Sequence, residues 1–252
     1  GDTDNDGDLD LVIGYNGAVD RLVLNDGSTA PFTSNFGVEL DTGALSTTAM
    51  DIGDFDQDGD LDLVAAHANA HNHYLQNFSE SGVFVQGAAF SQTEADSRDI
   101  AFVDADGNGT LDIAVANYGS VNKIYTYYQA PFHYYSAFSY DLGSESENSL
   151  GLLVADLNRD GSQDIAVAND TGHVDRVFSN PGTAFGFAMI PGFAMGDAST
   201  QTTSLSLADY DANGKADIVR SRLGVNDVVF NNGSTYPFYT SPTINLDPPE
   251  FA

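Results

Sequence analysis

Asp54-Phe55-Asp56-Gln57-Asp58-Gly59-Asp60-Leu61-Asp62 runs straight into Leu63-Val64-Ala65-Ala66: an acid at nearly every second place, one glycine, then an apolar run. The same order recurs from Asp2, Asp104, Asp156 and Asp209, so successive copies lie 52, 50, 52 and 53 residues apart. A near-constant period of that length marks a propeller or solenoid, whose units bury their apolar faces only against one another.

Each unit has the same order of parts. A first β-rich run follows the acidic loop, at 9–13, 61–65, 111–115, 164–167 and 217–219. A short turn leads to a second run at 21–24, 73–75, 123–127, 176–178 and 227–230. Asn16-Gly17, Tyr118-Gly119 and Thr171-Gly172 mark three of these turns as hairpins. Phe32, Phe84, Phe132, Phe187 and Phe238 introduce a third run, and a fourth precedes the next loop at 46–52, 99–103, 149–155 and 203–208. Four short strands per unit is the count of a propeller blade. The sequence therefore predicts an all-β fold: a β-propeller of about five four-stranded blades forming a single domain over 1–252. The repeat units fall at about 1–53, 54–103, 104–155, 156–208 and 209–252. The first unit starts at its loop, so its blade lacks one strand and the chain reads as part of a longer one. An open blade invites strand donation or self-assembly.

The loop chemistry points to calcium, which takes six to eight hard oxygen ligands. In the first loop Asp2, Asp4 and Asp6 supply side-chain oxygens, Gly7 makes the turn, Asp8 offers its carbonyl and Asp10 closes the cage. The second repeats this with Asp54, Asp56, Asp58, Asp60 and Asp62, and the third with Asp104, Asp106, Asn108, Thr110 and Asp112. The fourth uses Asp156, Asn158, Asp160, Ser162 and Asp164; the fifth uses Asp209, Asp211, Asn213, Lys215 and Asp217. The seventh place varies freely, as a position giving only its carbonyl should. An EF-hand is excluded, because its acidic twelfth place is here Ile13, Ala65, Val115, Val167 or Arg220. The loops hold no Cys or His, which disfavours zinc. Five calcium ions, one per repeat, are expected.

These loops and their spacing resemble the FG-GAP or VCBS repeats of integrin alpha-subunit propellers and many secreted bacterial proteins. The resemblance covers essentially the whole chain. It implies a propeller whose loops join the innermost strand of a blade to the next strand, with calcium stiffening one rim. Propellers of that family commonly have seven blades, against five units here.

Composition narrows the partners. The chain carries 37 acidic and 8 basic residues, a formal charge of -29, which argues against nucleic acid and anionic membranes. It has no cysteine, and no apolar run approaches a membrane-spanning length. An acidic, calcium-dependent chain suits an extracellular, secreted or cell-surface setting. Asn77, Asn169 and Asn232 begin glycosylation sequons.

Other candidates are weaker. His67, His71 and His73 occur in one unit only, and a solvated loop is favoured over a transition-metal site. Phe132 and Phe138 are assigned to packing between blades, whereas Tyr134 and Tyr135 suit either packing or stacking on a sugar or protein. Phe185, Phe187, Met189, Phe193 and Met195 are assigned to packing. The acid pairs Glu145/Glu147 and Asp96/Asp99 lack a nucleophile–base setting, so no enzyme activity is expected. The sequence thus suggests a non-catalytic recognition or adhesion module for glycan or extracellular protein. The alternative is a structural subunit of an extracellular filament or surface layer, built by strand or blade complementation.

Overall fold

Alternating apolar and polar residues, bounded by glycine turns, place the runs on extended backbone. The computed structural model describes residues 1–32, 37–40, 43–78, 84–91, 93–128, 134–183, 187, 192–234, 237–238 and 243–246. The side chains at 86–88, 128, 134–138 and 145 are excepted. Among the described residues there is no α-helix.

The first sheet is antiparallel in the order β1 (Leu11–Ile13), β2 (Arg21–Val23), β3 (Val38–Glu39). It has three strands, as the sequence predicts. The second is a four-stranded meander of β4 (Thr47–Gly53), β5 (Asp62–Ala70), β6 (His73–Asn77) and β7 (Phe84–Ala89). β8 (Ala95–Val103) precedes two long strands, β9 (Asp112–Tyr128) and β10 (Tyr134–Ala155). β9 covers two predicted strands without a break, and the chain turns between them near Gly119, whose φ is 74. The end of β10 leads the next sheet, followed by β11 (Asp164–Asn169), β12 (Asp175–Phe178) and β13 (Phe193–Met195). The last sheet is β14 (Thr202–Ala208), β15 (Asp217–Arg222), β16 (Asp227–Val229) and β17 (Thr243–Asn245).

The chain divides into two compact units. One comprises Gly1–Phe102, Gly109–Val115 and Tyr125–Ser139; the other comprises Val103–Asn108, Ala116–Ile124 and Tyr140–Ala252. In the first, Leu22 and Leu40 pack with Leu63 and Leu75, and Phe55, Val64 and Phe90 pack with Ile113, Tyr125 and Tyr127. In the second, Leu157, Ala166 and Val177 pack with Ile218, Val229 and Phe238. Each cluster joins neighbouring repeats, as a blade that cannot bury its own faces requires.

Polar clamps reinforce these contacts at both ends of the strands. At the hairpin end an Asx side chain holds its own turn: Tyr15 N–H donates to Asp20, His67 N–H to Asn72, Asn117 N–H to Asn122 and Asn169 N–H to Asp175, at 2.7–2.9 Å. The same side chain meets a hydroxyl on the next sheet. Thr47 Oγ1 donates to Asp20 at 2.8 Å, Asn72 to Ser97 Oγ at 2.9 Å, Asn122 to Ser149 Oγ at 2.9 Å, and Thr202 Oγ1 to Asp175 at 2.7 Å.

At the loop end an asparagine amide reaches the preceding acidic loop. Asn77 donates to the Thr3 carbonyl at 2.8 Å, Asn180 to that of Asp104 at 3.2 Å, and Asn231 to that of Leu157 at 2.9 Å. Asn231 is buried and also donates to the Ala216 carbonyl, while its Oδ1 accepts from Gly233 N–H. Asn231→Ala strands these groups in a dry setting, so equilibrium urea unfolding should show a loss of about 1–3 kcal/mol.

His67 corrects the solvated-loop expectation. It lies on β5, is fully buried, and its Nδ1 is 3.2 Å from Thr47 Oγ1. Burial, with the His73 ring beside it, pushes its pKa down to about 4. His71 Nδ1 lies 2.8 Å from the Ser91 carbonyl oxygen. Phe187 and Met195 are buried, as expected of packing residues. Phe132, Phe185 and Met189, and the side chains of Tyr134, Tyr135 and Phe138, lie outside the described residues.

Candidate metal centre

The loops are built on left-handed backbone at two fixed places. At the sixth, Gly7, Gly59, Gly109, Gly161 and Gly214 all have φ between 82 and 98. At the fourth, Asn5, Gln57, Arg159 and Ala212 have φ of 57–65 within their loops, a conformation that is uncommon for side-chain-bearing residues. Such strain persists only where the surroundings hold it, and it gathers at functional turns.

What holds it here is a lattice of carboxylate-to-backbone bonds. The first carboxylate of the loop accepts from the fifth and sixth N–H groups. Asp2 takes Asp6 and Gly7, Asp54 takes Asp58 and Gly59, Asp156 takes Asp160 and Gly161, and Asp209 takes Asn213 and Gly214. The fifth side chain accepts from the seventh N–H: Asp6 from Asp8, Asp58 from Asp60, Asp160 from Ser162, and Asn213 from Lys215. Curling the chain this way brings the side chains of places one, three and five together.

The carboxylates crowd accordingly. Asp2, Asp4 and Asp6 each offer an oxygen, and these lie within 4.8 Å of one another; the same holds for Asp54, Asp56 and Asp58. In the fifth loop the group is Asp209, Asp211 and the buried Asp217. The third loop falls on the boundary between the two units. Asp104 and Asp106 both accept from Asn108 N–H in one, and Thr110 and Asp112 are buried in the other. In loops four and five an amide replaces one acid and donates to its neighbour: Asn158 to Asp160, and Asn213 to Asp211, each at 2.9 Å.

The ninth aspartate does a second job that the sequence reading missed. Asp10, Asp62, Asp112, Asp164 and Asp217 are all buried. One oxygen accepts from the loop's second residue: Thr3, Phe55, Leu157 and Tyr210 N–H donate to Asp10, Asp62, Asp164 and Asp217. The other accepts from the residue that closes the second strand, at 2.8 Å in every repeat: Asn25, Asn77, Tyr127, Asn180 and Asn231. It therefore ties the loop to the blade. The seventh side chains point toward the turn after that residue, where Gly27 abuts Asp8, Gly182 abuts Ser162 and Gly233 abuts Lys215. Within the first unit the loops also brace each other: Asn5 donates to Asp60 at 2.8 Å, and Gln57 to the Gly109 carbonyl at 2.7 Å.

Electrostatics expose what this arrangement lacks. Asp4 Oδ1 is shielded from solvent without a hydrogen-bond partner. Burial raises the Asp4 carboxyl above its ordinary pKa, and the charges of Asp10, Asp6 and Asp2 add to the rise. Burial likewise raises Asp56, helped by Asp58, and pushes Asp62 up to about 7 and Asp164 up to about 6. An orphaned oxygen among like charges, with hard-oxygen donors throughout, fits a divalent cation.

A sign follows for pH. Unfolded aspartates titrate near 4. Between about pH 4 and 7 the folded, metal-free protein therefore keeps protons that the unfolded chain has released, and its stability falls as pH rises. Chelated protein should melt at a higher temperature at pH 5 than at pH 8. With millimolar calcium the order should reverse, because the ligands must be deprotonated.

The acid pairs have structural partners. Glu147 accepts from Arg176 Nε at 2.7 Å and from Asn169 at 2.8 Å, and Asp96 pairs with Arg98 at 2.5 Å.

Together these features define a repeat protein of the β-propeller class with an acidic loop in each unit. The chain belongs to the FG-GAP-like repeat family, whose model matches residues 2–65, 54–115, 104–167 and 156–220. Each match runs from one acidic loop through the next, so four matches take in all five loops. Among solved structures, the Dos1 propeller is similar at 11% identity and a TM-score of 0.61, over 97% of this chain and 57% of that one. The Vibrio cholerae biofilm matrix protein Bap1 is similar at 17% identity and a TM-score of 0.53, over 97% of this chain and 38% of that one. The chain thus spans less than two thirds of either. No curated protein sequence matches it.

Proposed function

We propose that the chain is an extracellular recognition or adhesion module for glycan or protein, stiffened by calcium at five loops within one domain. The observation that carries the calcium assignment is the partnerless Asp4 Oδ1 among the carboxylates of Asp2, Asp6 and Asp10. In each loop the residues at places one, three, five and nine present side-chain oxygens, and the seventh presents its carbonyl. Bound calcium supplies positive charge there. The left-handed turns then keep their shape without protonation of the acids, and one end of every blade becomes a fixed surface for a partner.

Isothermal titration of stripped protein with calcium chloride tests the first half of this reading, and about five sites are expected. Asp4→Asn should remove or weaken one of them, and a flat titration refutes the assignment. Glycan-array binding in calcium, lost in chelator, tests the second half.

The structural-subunit reading has its own support. The first and last repeats carry exposed apolar side chains, including Leu9, Leu11, Ile13, Tyr210 and Ile244.

A further inference from the structure

Between the inward-turned side chains of places three and five stands the residue of place four, and its side chain leaves the loop. In the first unit it crosses to the next loop each time. Gln57 Nε2 donates to the Gly109 carbonyl at 2.7 Å, and Asn5 Nδ2 to Asp60 Oδ1 at 2.8 Å. Gly109 holds place six of the third loop, and Asp60 place seven of the second. Both belong to the turn whose carbonyl, at place seven, is the backbone ligand expected of the cage.

The second unit bridges its loops with other residues. Arg159, at place four of the fourth loop, carries its Nη2 to 4.0 Å from where a Cβ on Gly214, place six of the fifth, would stand. Place four of the third loop is Gly107, with φ of 72, where a Cβ would crowd the Gly182 carbonyl at 3.0 Å. That junction is bridged from the other side. Gln163, at place eight of the fourth loop, accepts from Asp104 N–H at 2.9 Å.

We infer that the loops load as coupled neighbours: an ion in one loop raises the affinity of the adjoining loop for the same cation, through the side chain at place four. The inference rests on the calcium reading of the loops and adds their regulation. Without an ion, the carboxylates at places one, three and five repel one another and favour an open loop. The left-handed turn at place four is then no longer imposed, and the amide of Asn5 or Gln57 is not aimed at its acceptor. Closing the loop fixes that amide, which holds the neighbour's turn ready for its own ion. Ordering the neighbour in advance removes part of the cost of its binding, and by linkage the help is reciprocal. Each bridge is one hydrogen bond, so the expected coupling is about three- to tenfold in affinity. Neighbouring loops therefore fill over a narrower range of calcium than independent sites would.

Calcium titration of the stripped full chain, read by hydrogen exchange of peptides covering the second and third loops, resolves the two sites. Gln57→Ala keeps every ligand and suits the turn, since Ala212 holds the same place at φ of 57. Gln57 is exposed, so the fold should persist. The variant should raise the calcium midpoint of the third loop about two- to threefold, the square root of the coupling when the sites are alike. Asn5→Ala should do the same to the second loop. Asp54→Asn with Asp56→Asn, which disables the second loop, should raise the third loop's midpoint in the wild-type background and leave it unmoved once Gln57 is alanine. A rise that persists in the Gln57→Ala background assigns the coupling to the strands and overturns the bridge. Loops that gain protection at midpoints Gln57→Ala does not move overturn the coupling and leave the calcium reading standing. Absence of calcium-dependent protection at every loop overturns both.

Discussion

Stripping divalent ions from the chain should lower its melting temperature by about 10–20 °C. A ligand that binds only the folded state at one hundred times its dissociation constant contributes about 2.7 kcal/mol per site. In a chain of this size each kcal/mol is worth about 2–4 °C, so losing two sites already reaches that range. The carboxylate lattice explains why the loss should be cooperative. The ninth aspartates that would complete the cage also hold the N–H groups of Asn25, Asn77, Asn180 and Asn231. Three of those asparagines clamp the preceding loop. Repulsion that opens one loop therefore loosens the blade bearing it and the junction behind it. Differential scanning calorimetry in calcium, and after exhaustive chelation, reads this directly. A shift under 3 °C in protein shown to be metal-free would mean the N–H bonds alone hold the loops.

The acidic loops and strands were legible because both advertise themselves through period. Acids at alternate places with a glycine at the sixth identify a loop from one copy, and five copies in register fix the blade length. The strands after the loops start within about two residues of their predicted places, and β11 and β15 extend past their predicted ends to meet the hairpin clamps, whereas β9 and β10 run well beyond single predicted strands. The clamps themselves were not seen, although they leave a trace. Asp20, Asn72 and Asn122 each stand ten residues beyond the ninth aspartate of their loop. Asn25, Asn77 and Tyr127 each stand 15 beyond it. Singly, an asparagine near a glycine reads as a turn residue. Its partner is a carbonyl 74 or 76 residues away, visible only once sheets are stacked. His67 was misjudged for a related reason: its polar neighbours suggest a loop, but the hairpin clamp draws it under Thr47.

Arg220→Ala should cost about 3–5 kcal/mol, the toll of leaving buried carboxylates without their cation. Arg220 lies on β15 and is 1% exposed, unusual for the residue type. Its Nε and Nη2 fork onto Asp227 at 2.7 and 2.6 Å, while Nη1 reaches Asp175 at 3.0 Å and the Met195 carbonyl at 2.7 Å. Asp175 is the hairpin clamp of the preceding sheet, so this guanidinium is the ionic counterpart of the amide clamps elsewhere. Burial holds the Asp175 carboxyl above its ordinary pKa even with Asn169, Thr202 and Arg220 bonded to it. Removing Arg220 takes away its nearest compensation; Arg222 serves Asp227 at 3.2 Å and Asp197 at 3.3 Å. Gly196, with φ of 85, lies against the guanidinium, where a Cβ would come within 2.6 Å of Nη1, so the pocket is shaped for an arginine. Equilibrium urea unfolding of Arg220→Ala, alone and with Asp175→Asn, separates the causes. If stranded charge dominates, neutralising Asp175 should recover at least 1 kcal/mol of the loss, about what one charged hydrogen bond is worth. No recovery would assign the loss to the cavity left by the side chain, and the clamp would then act through packing.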